Sequence, residues 1–201
     1  MKLFYTPNSC YARKVRVLAR ERSLMDRITE VKVTVRDPKS DLLKLGPVGR
    51  VPELLFDDGT LLGESSLICA YLDELHQGPK VVPAGEDRWT FFAFEAEALG
   101  FMDGVAVWCR EARRPKNEQS PSVLELERMR ADRCLDVLES TRAGAMLRAP
   151  LHIGQLTVGC ALGLVDKWFP DLGWRDGRPS LSSWYEQLAA RPSMIATRPE
   201  P

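Results

Sequence analysis

Histidine is nearly missing from this chain: His76 and His152 are the two among 201 residues. That leaves too few imidazoles for a histidine-based triad or a histidine metal cage. Disulfide patterning is missing as well. Five cysteines, at positions 10, 69, 109, 134 and 160, are odd in number, widely spread and match no zinc spacing. They argue for a reducing cytoplasm rather than a disulfide framework. Neither sign of charge is in excess, since 28 basic residues balance 28 acidic ones. There is therefore no electrostatic case for nucleic-acid or membrane binding. The longest nearly uncharged apolar run, 153–165, is too short to span a bilayer. Met1 to Tyr5 reads as a strand with no hydrophobic signal region behind it, so no signal peptide is expected.

What is present is an ordinary apolar content of 44%, enough for one large or two small domains. Lys2 to Tyr5 predicts a strand and Thr6-Pro7-Asn8 a turn. Tyr11, Ala12, Val15, Leu18 and Ala19 then recur on one helical face, with Arg13, Lys14, Arg16, Arg20 and Arg22 supplying the rest. Ser9 is the expected N-cap, which places Cys10 in the first turn. Ile28, Val31, Val33 and Val35 predict a second strand, and the leucines at 42, 43 and 45 a short irregular helix. Leu54 to Phe56 and Thr60 to Leu62 predict a hairpin around Asp58-Gly59, the dipeptide suited to a two-residue type I′ turn. Ser65 is the expected cap of a helix carrying Leu67, Ile68, Tyr71, Leu72 and Leu75. Strand, helix, strand, helix, strand, strand, helix is the order of a thioredoxin-like unit, with a right-handed parallel βαβ portion.

After a break at Gln77-Gly78-Pro79 and a linker over 81–85, the pattern is helical throughout. Residues 89–114 predict a long helix in which Gly100 and Gly104 suggest close approach of a neighbour or a bend. Ser120-Pro121 and Ser122-x-x-Glu125 offer competing starts for the next helix, which is expected to turn Leu124, Leu126, Met129, Cys134, Leu135 and Leu138 inward. The division is thus 1–78 for an α/β thioredoxin-like N-terminal domain and 86–201 for an all-α domain.

The stretch Gly49-Arg50-Val51-Pro52 through Gly63-Glu64-Ser65 resembles the glutathione-binding half of a cytosolic glutathione transferase. That resemblance implies that Val51, before a proline, pairs its backbone with the cysteinyl part of glutathione, most simply through a cis Val51–Pro52 bond. It implies that Glu64 and Ser65 hold the γ-glutamyl end. Independently of the name, a helix N-terminus with a hydroxyl is an anion site for a carboxylate. Two bacterial subgroups are resembled at the N-terminus. Met1-Lys2-Leu3-Phe4-Tyr5-x-Pro7-x-x-Cys10 is similar to the beta class, whose cysteine would be Cys10. Ser9-x-Tyr11-x-Arg13-Lys14 is similar to a subgroup in which the serine activates the thiol, although Cys10 stands where that subgroup has proline. Position 13 is Arg, so a Cys-x-x-Cys redox pair is excluded.

The resemblance continues through 95–139, including Met102-Asp103-Gly104 and Arg110-Glu111-x-x-Arg114, and through Ser180-Leu181-x-x-Trp184 to Arg191-Pro192-Ser193. It covers nearly the whole chain. At Thr157 it implies a helix N-cap, with Cys160 replacing the reciprocal aspartate. The implied activity is attack of a glutathione thiolate, as co-substrate, on an electrophilic small molecule lying between the domains. Phe101, Met102, Val105 and Trp108 are candidate wall residues, against plain core packing. Two alternatives stand beside it: a glutathione-dependent thiol reductase or deglutathionylase using Cys10, and a non-catalytic binding protein that keeps the fold. A cytoplasmic homodimer is implied with each.

Overall fold

The computed structural model describes residues 1–200, and of 141–143 and 146 the backbone only. The chain divides into two compact units: Met1–Val82 together with the segment from Pro192 onward, and Pro83–Arg191. The N-terminal half is thioredoxin-like, a four-stranded sheet with helices, and the C-terminal half is helical, as the sequence predicts. The sequence reading keeps 86–201 together and does not anticipate the return of the last segment to the first unit.

In the first unit, strands β1 (Lys2–Tyr5), β2 (Thr29–Lys32), β3 (Glu53–Leu55) and β4 (Leu61–Leu62) form one sheet in the order β2-β1-β3-β4. β1 and β2 are parallel, as a βαβ crossover requires, while β3 lies antiparallel to both β1 and β4. The hairpin differs from expectation. Asp58 does not adopt positive φ; Gly59 alone does, at 90°. Phe56 N–H donates to Thr60 O, and Gly59 N–H donates to Phe56 O. The loop therefore has three residues, with a left-handed glycine completing it. Asp58 contributes its carboxylate, which accepts from Thr60 N–H at 2.8 Å.

Helix α1 (Cys10–Glu21) is buried almost all round, and Arg13, Lys14 and Arg16 are buried with its apolar residues. The amphipathic reading assigned these cations to the outer face. They are buried because helices α2 (Ser65–Glu74) and α8 (Pro192–Ile195) both pack on α1. Each long cation then needs a partner. Arg16 and Arg20 both bind Glu30, and Arg16 also lies 4.0 Å over the Tyr5 ring. The linker is tied down by Asp73, which is 2% exposed; it accepts from Val81 and Val82 N–H and pairs with Arg22 at 2.8 Å. The short helix before Gly46 is a 3₁₀ turn, Asp41–Lys44, capped by Ser40.

The second unit contains α3 (Arg88–Ala112), α4 (Pro121–Glu139), α5 (Thr141–Arg148), α6 (Ile153–Trp168) and α7 (Pro179–Ala189). α6 is its axis: every residue from Ile153 to Val165 is buried, against α3 above all. Ser120 wins the competition for the α4 start, accepting from Val123 N–H with Pro121 in the first turn. Leu126 and Met129 are exposed rather than inward, and Glu127 and Ala131 take the buried positions. Gly104 meets the expected close approach, since a Cβ there would stand 2.9 Å from Arg130 and Glu127 side chains, whereas Gly100 faces nothing within 4 Å.

The cap expected at Thr157 lies elsewhere. α6 begins five residues earlier, and His152 is its N-cap in a reciprocal box with Gln155. Thr157 is interior and donates its hydroxyl to Ile153 O at 3.1 Å. Among the described residues no helix is long and apolar enough to cross a membrane.

Candidate functional site

Strand direction gathers the candidate residues. β1 ends at Tyr5, opposite the beginning of antiparallel β3, because Phe4 pairs with Glu53. β4 ends at Leu62, opposite Leu54 of β3. The loop after β1 with Ser9, the turn before β3 with Val51 and Pro52, and the Gly63-Glu64 step after β4 therefore emerge at one end of the sheet. Lys14 fastens that end further by donating from Nζ to Ser66 Oγ at 3.1 Å, joining α1 to the first turn of α2.

Ser9 is the N-cap of α1, half-buried, with φ −86° and ψ 113°. Its Oγ accepts from Ala12 N–H at 3.2 Å. An oxygen used as acceptor keeps its own hydrogen to donate. Cys10 is the first helical residue and only 3% exposed. Arg13, one turn on, directs Nη2 to the Met194 carbonyl at 3.2 Å and is itself buried.

The Val51–Pro52 bond is cis. Val51 is half-buried, and its backbone N–H and C=O take part in no backbone hydrogen bond among the described residues. It thus offers one free donor and one free acceptor at the start of β3, the pattern an extended peptide needs for strand-like pairing. Pro52 is buried beneath it.

Glu64, not Ser65, occupies the N-cap position of α2, with φ 65° and ψ 118° and no side-chain capping bond. Ser65 is the first helical residue and 3% exposed. A helix start that no side chain caps keeps its positive end for an outside anion, and the buried Lys14 ammonium adds to it. Glu64 is exposed, so the same corner presents an anion site and, beside it, a carboxylate for a cation. An amino-acid head group carries both charges.

Two residues escaped the sequence reading. Lys14 looks like a surface residue in a periodicity count, and only the packing of α2 and α8 buries it. Glu53 looks like the polar side of a strand, yet it is 6% exposed. Burial pushes its carboxyl above the usual range, and the Glu64 charge adds to that. Of the candidate wall residues, Phe101, Met102, Val105 and Trp108 are all buried, and Trp108 stacks on Phe169 at 3.8 Å. The remaining thiols offer no obvious nucleophile; burial pushes Cys109 up to about 12. Among the described residues no group of acids, histidines and cysteines is placed to hold a metal.

Residues 3–80 match the family model of the glutathione S-transferase N-terminal domain, and residues 121–187 that of the C-terminal domain. A glutathione transferase family member from Pseudomonas fluorescens Pf-5, solved with bound glutathione, is 36% identical, with a TM-score of 0.91; the match covers 100% of this chain and 99% of that one. A glutathione S-transferase from Methylobacillus flagellatus KT, solved with glutathione, is 29% identical with a TM-score of 0.87 and 99% of each chain covered. The uncharacterized GST-like protein YibF of Escherichia coli K12 is 28% identical over 99% of this chain and 98% of its own length. On the match of both halves and the relationship to the Pseudomonas protein, this chain belongs to the glutathione transferase family.

Proposed function

We propose that the protein is a glutathione transferase that binds glutathione as co-substrate and activates its thiolate for attack on an electrophilic small molecule. One observation carries the reading: the open backbone of Val51 stands at the same sheet end as the uncapped start of α2 and the hydroxyl of Ser9. Glutathione lies extended along Val51 and Pro52, with its γ-glutamyl carboxylate on Ser65 and the α2 N-terminus. Its α-ammonium faces Glu64. The two glutathione-bound relatives support this choice of ligand.

The thiol must be deprotonated to react. Moving a thiol pKa from about 8.5 to about 6.5 requires about 2.7 kcal/mol. A helix N-terminus contributes about 0.3–1 kcal/mol, and one hydrogen bond to a charged acceptor about 1.5–3 kcal/mol. The helix N-terminus alone falls short and the hydrogen bond alone reaches the requirement only at the top of its range, whereas the two together meet it comfortably. The thiol proton leaves to solvent, the sulfur forms a bond to the electrophilic carbon, and the displaced group or added double bond takes the electron pair. Ser9 suits the role better than Cys10 because Ser9 is half-buried and Cys10 is closed off.

The test is ultraviolet absorbance of the bound thiolate. Ser9→Ala is expected to abolish it at neutral pH, and Cys10→Ala to leave it in place. Thiolate that survives Ser9→Ala but not Cys10→Ala reverses the assignment, and a protein that takes up no glutathione at millimolar concentration removes it. A homodimer in the cytoplasm fits the same reading. Leu67 on α2 and Leu126, Met129 and Val137 on α4 leave apolar side chains exposed for a second copy. Sedimentation showing a monomer at micromolar concentration would defeat that part alone.

A further inference from the structure

Glu53 stands directly across the β3–β4 ladder from Gly63, one step beyond the Leu54–Leu62 pair. Its Oε2 lies 3.0 Å from where a Cβ on residue 63 would be, so the glycine is what lets this carboxylate occupy the space beside the β4–α2 junction. The next residue is Glu64. Glu53 is 6% exposed, and its carboxylate makes no hydrogen bond or ion pair with any described residue. An acid so placed is unfavourable twice over: a largely buried carboxylate keeps little solvent, and the Glu64 charge repels it. A cation between the two relieves both. The surroundings offer no third acid, cysteine or histidine to make a metal site, among the described residues. A compact ammonium, with three donors on one nitrogen, matches a pair of carboxylates without further ligands.

We infer that Glu53 and Glu64 together form a two-carboxylate receptor for the α-ammonium of the ligand's γ-glutamyl group, with Glu53 as the buried, selectivity-determining member. This rests on the glutathione reading above and adds to it a residue outside the Glu64-Ser65 pair. The role of Glu53 is to make an unblocked amino group a condition of binding. A ligand lacking the ammonium leaves the Glu64 charge acting on Glu53 uncompensated, so it is rejected by the cost of that repulsion as well as by the lost contact.

Calorimetry with two ligands tests this: glutathione, and glutaryl-cysteinylglycine, which has hydrogen in place of the ammonium. The native protein is expected to bind the deaminated ligand at least about tenfold more weakly, the usual scale for a contact to a charged group. Glu53→Gln is expected to weaken glutathione by about tenfold while leaving the deaminated ligand unchanged or tighter. Gly63→Ala, which keeps the acid but crowds its carboxylate, is expected to move glutathione in the same direction and less far. Melting temperatures of Glu53→Gln should stay level or rise, because a buried acid is removed. Glu53→Gln acting on both ligands alike, on neither, or lowering melting temperature along with affinity makes Glu53 a structural acid and overturns the inference. A native protein that takes up neither ligand overturns the glutathione reading itself, whereas normal glutathione uptake with an indifferent Glu53→Gln overturns the inference alone.

Discussion

At the scale of residues, the charges on α1 decide more than its apolar stripe does. Glu30 on β2 receives Arg20 at 2.8 and 2.9 Å and Arg16 at 2.8 Å. Burial works to raise its pKa, but the hydrogen bonds from Arg20 and Arg16 prevail and hold it at about 2, against an ordinary 4.5. A carboxyl whose folded pKa is depressed stabilises the fold fully above its unfolded value and loses that contribution as pH falls toward the folded value. Glu30→Gln is therefore expected to cost about 1–2 kcal/mol at pH 7, after allowance for solvent screening. In urea melts the native protein and the variant should converge as pH drops from about 4.5 toward 2. A gap that stays constant across that window would show that Glu30 acts through packing. The sequence made Ser9, Val51, Pro52, Glu64 and Ser65 visible because small motifs carry them. Lys14 and Glu53 were invisible because their burial depends on what packs against them.

Among the elements, boundaries were harder to read than existence. All four strands and the main helices sit close to their apolar patterns, since periodicity is local. The α6 start was misplaced because Thr157 looks like a cap, whereas His152 and Gln155 are a less familiar pair for the same reciprocal bonding. His152 is also held by the rings of Phe91 and Phe94, at 5.0 and 5.6 Å, which a sequence does not reveal. The correction reverses an engineering choice. Restoring an aspartate by Cys160→Asp does not mend a cap. It buries a charge at a site 1% exposed, and should destabilise the protein by more than about 2 kcal/mol in thermal or urea unfolding. Gln155→Ala should cost about 0.5–2 kcal/mol, the usual value of a lost cap. It also frees the Leu147 and Ala149 carbonyls, to which Gln155 Nε2 donates.

On the scale of the whole molecule, the chain leaves the first unit at Val82 and comes back to it at Pro192. The returning segment is fastened to α1 at several points. Ser193 Oγ donates to Glu21, the Met194 carbonyl accepts from Arg13, and Met194 and Thr197 are buried. A protein ending at Arg191 is expected to lose melting temperature and glutathione affinity together, because Arg13 and the inner face of α1 lose their cover. Retention of both properties would show the segment to be dispensable. Linear reading of helices cannot foresee such a return, since nothing in the run 192–200 names the surface it will meet.

That arrangement also sets an order of events during synthesis. The ribosome delivers β1 and α1 more than a hundred residues before the segment from Pro192 that closes over α1, with the whole of the second unit in between. The first unit therefore waits for the second to be synthesised before it is finished, and a nascent chain stalled anywhere between Val82 and Pro192 carries an incomplete first unit however long ago its strands were made.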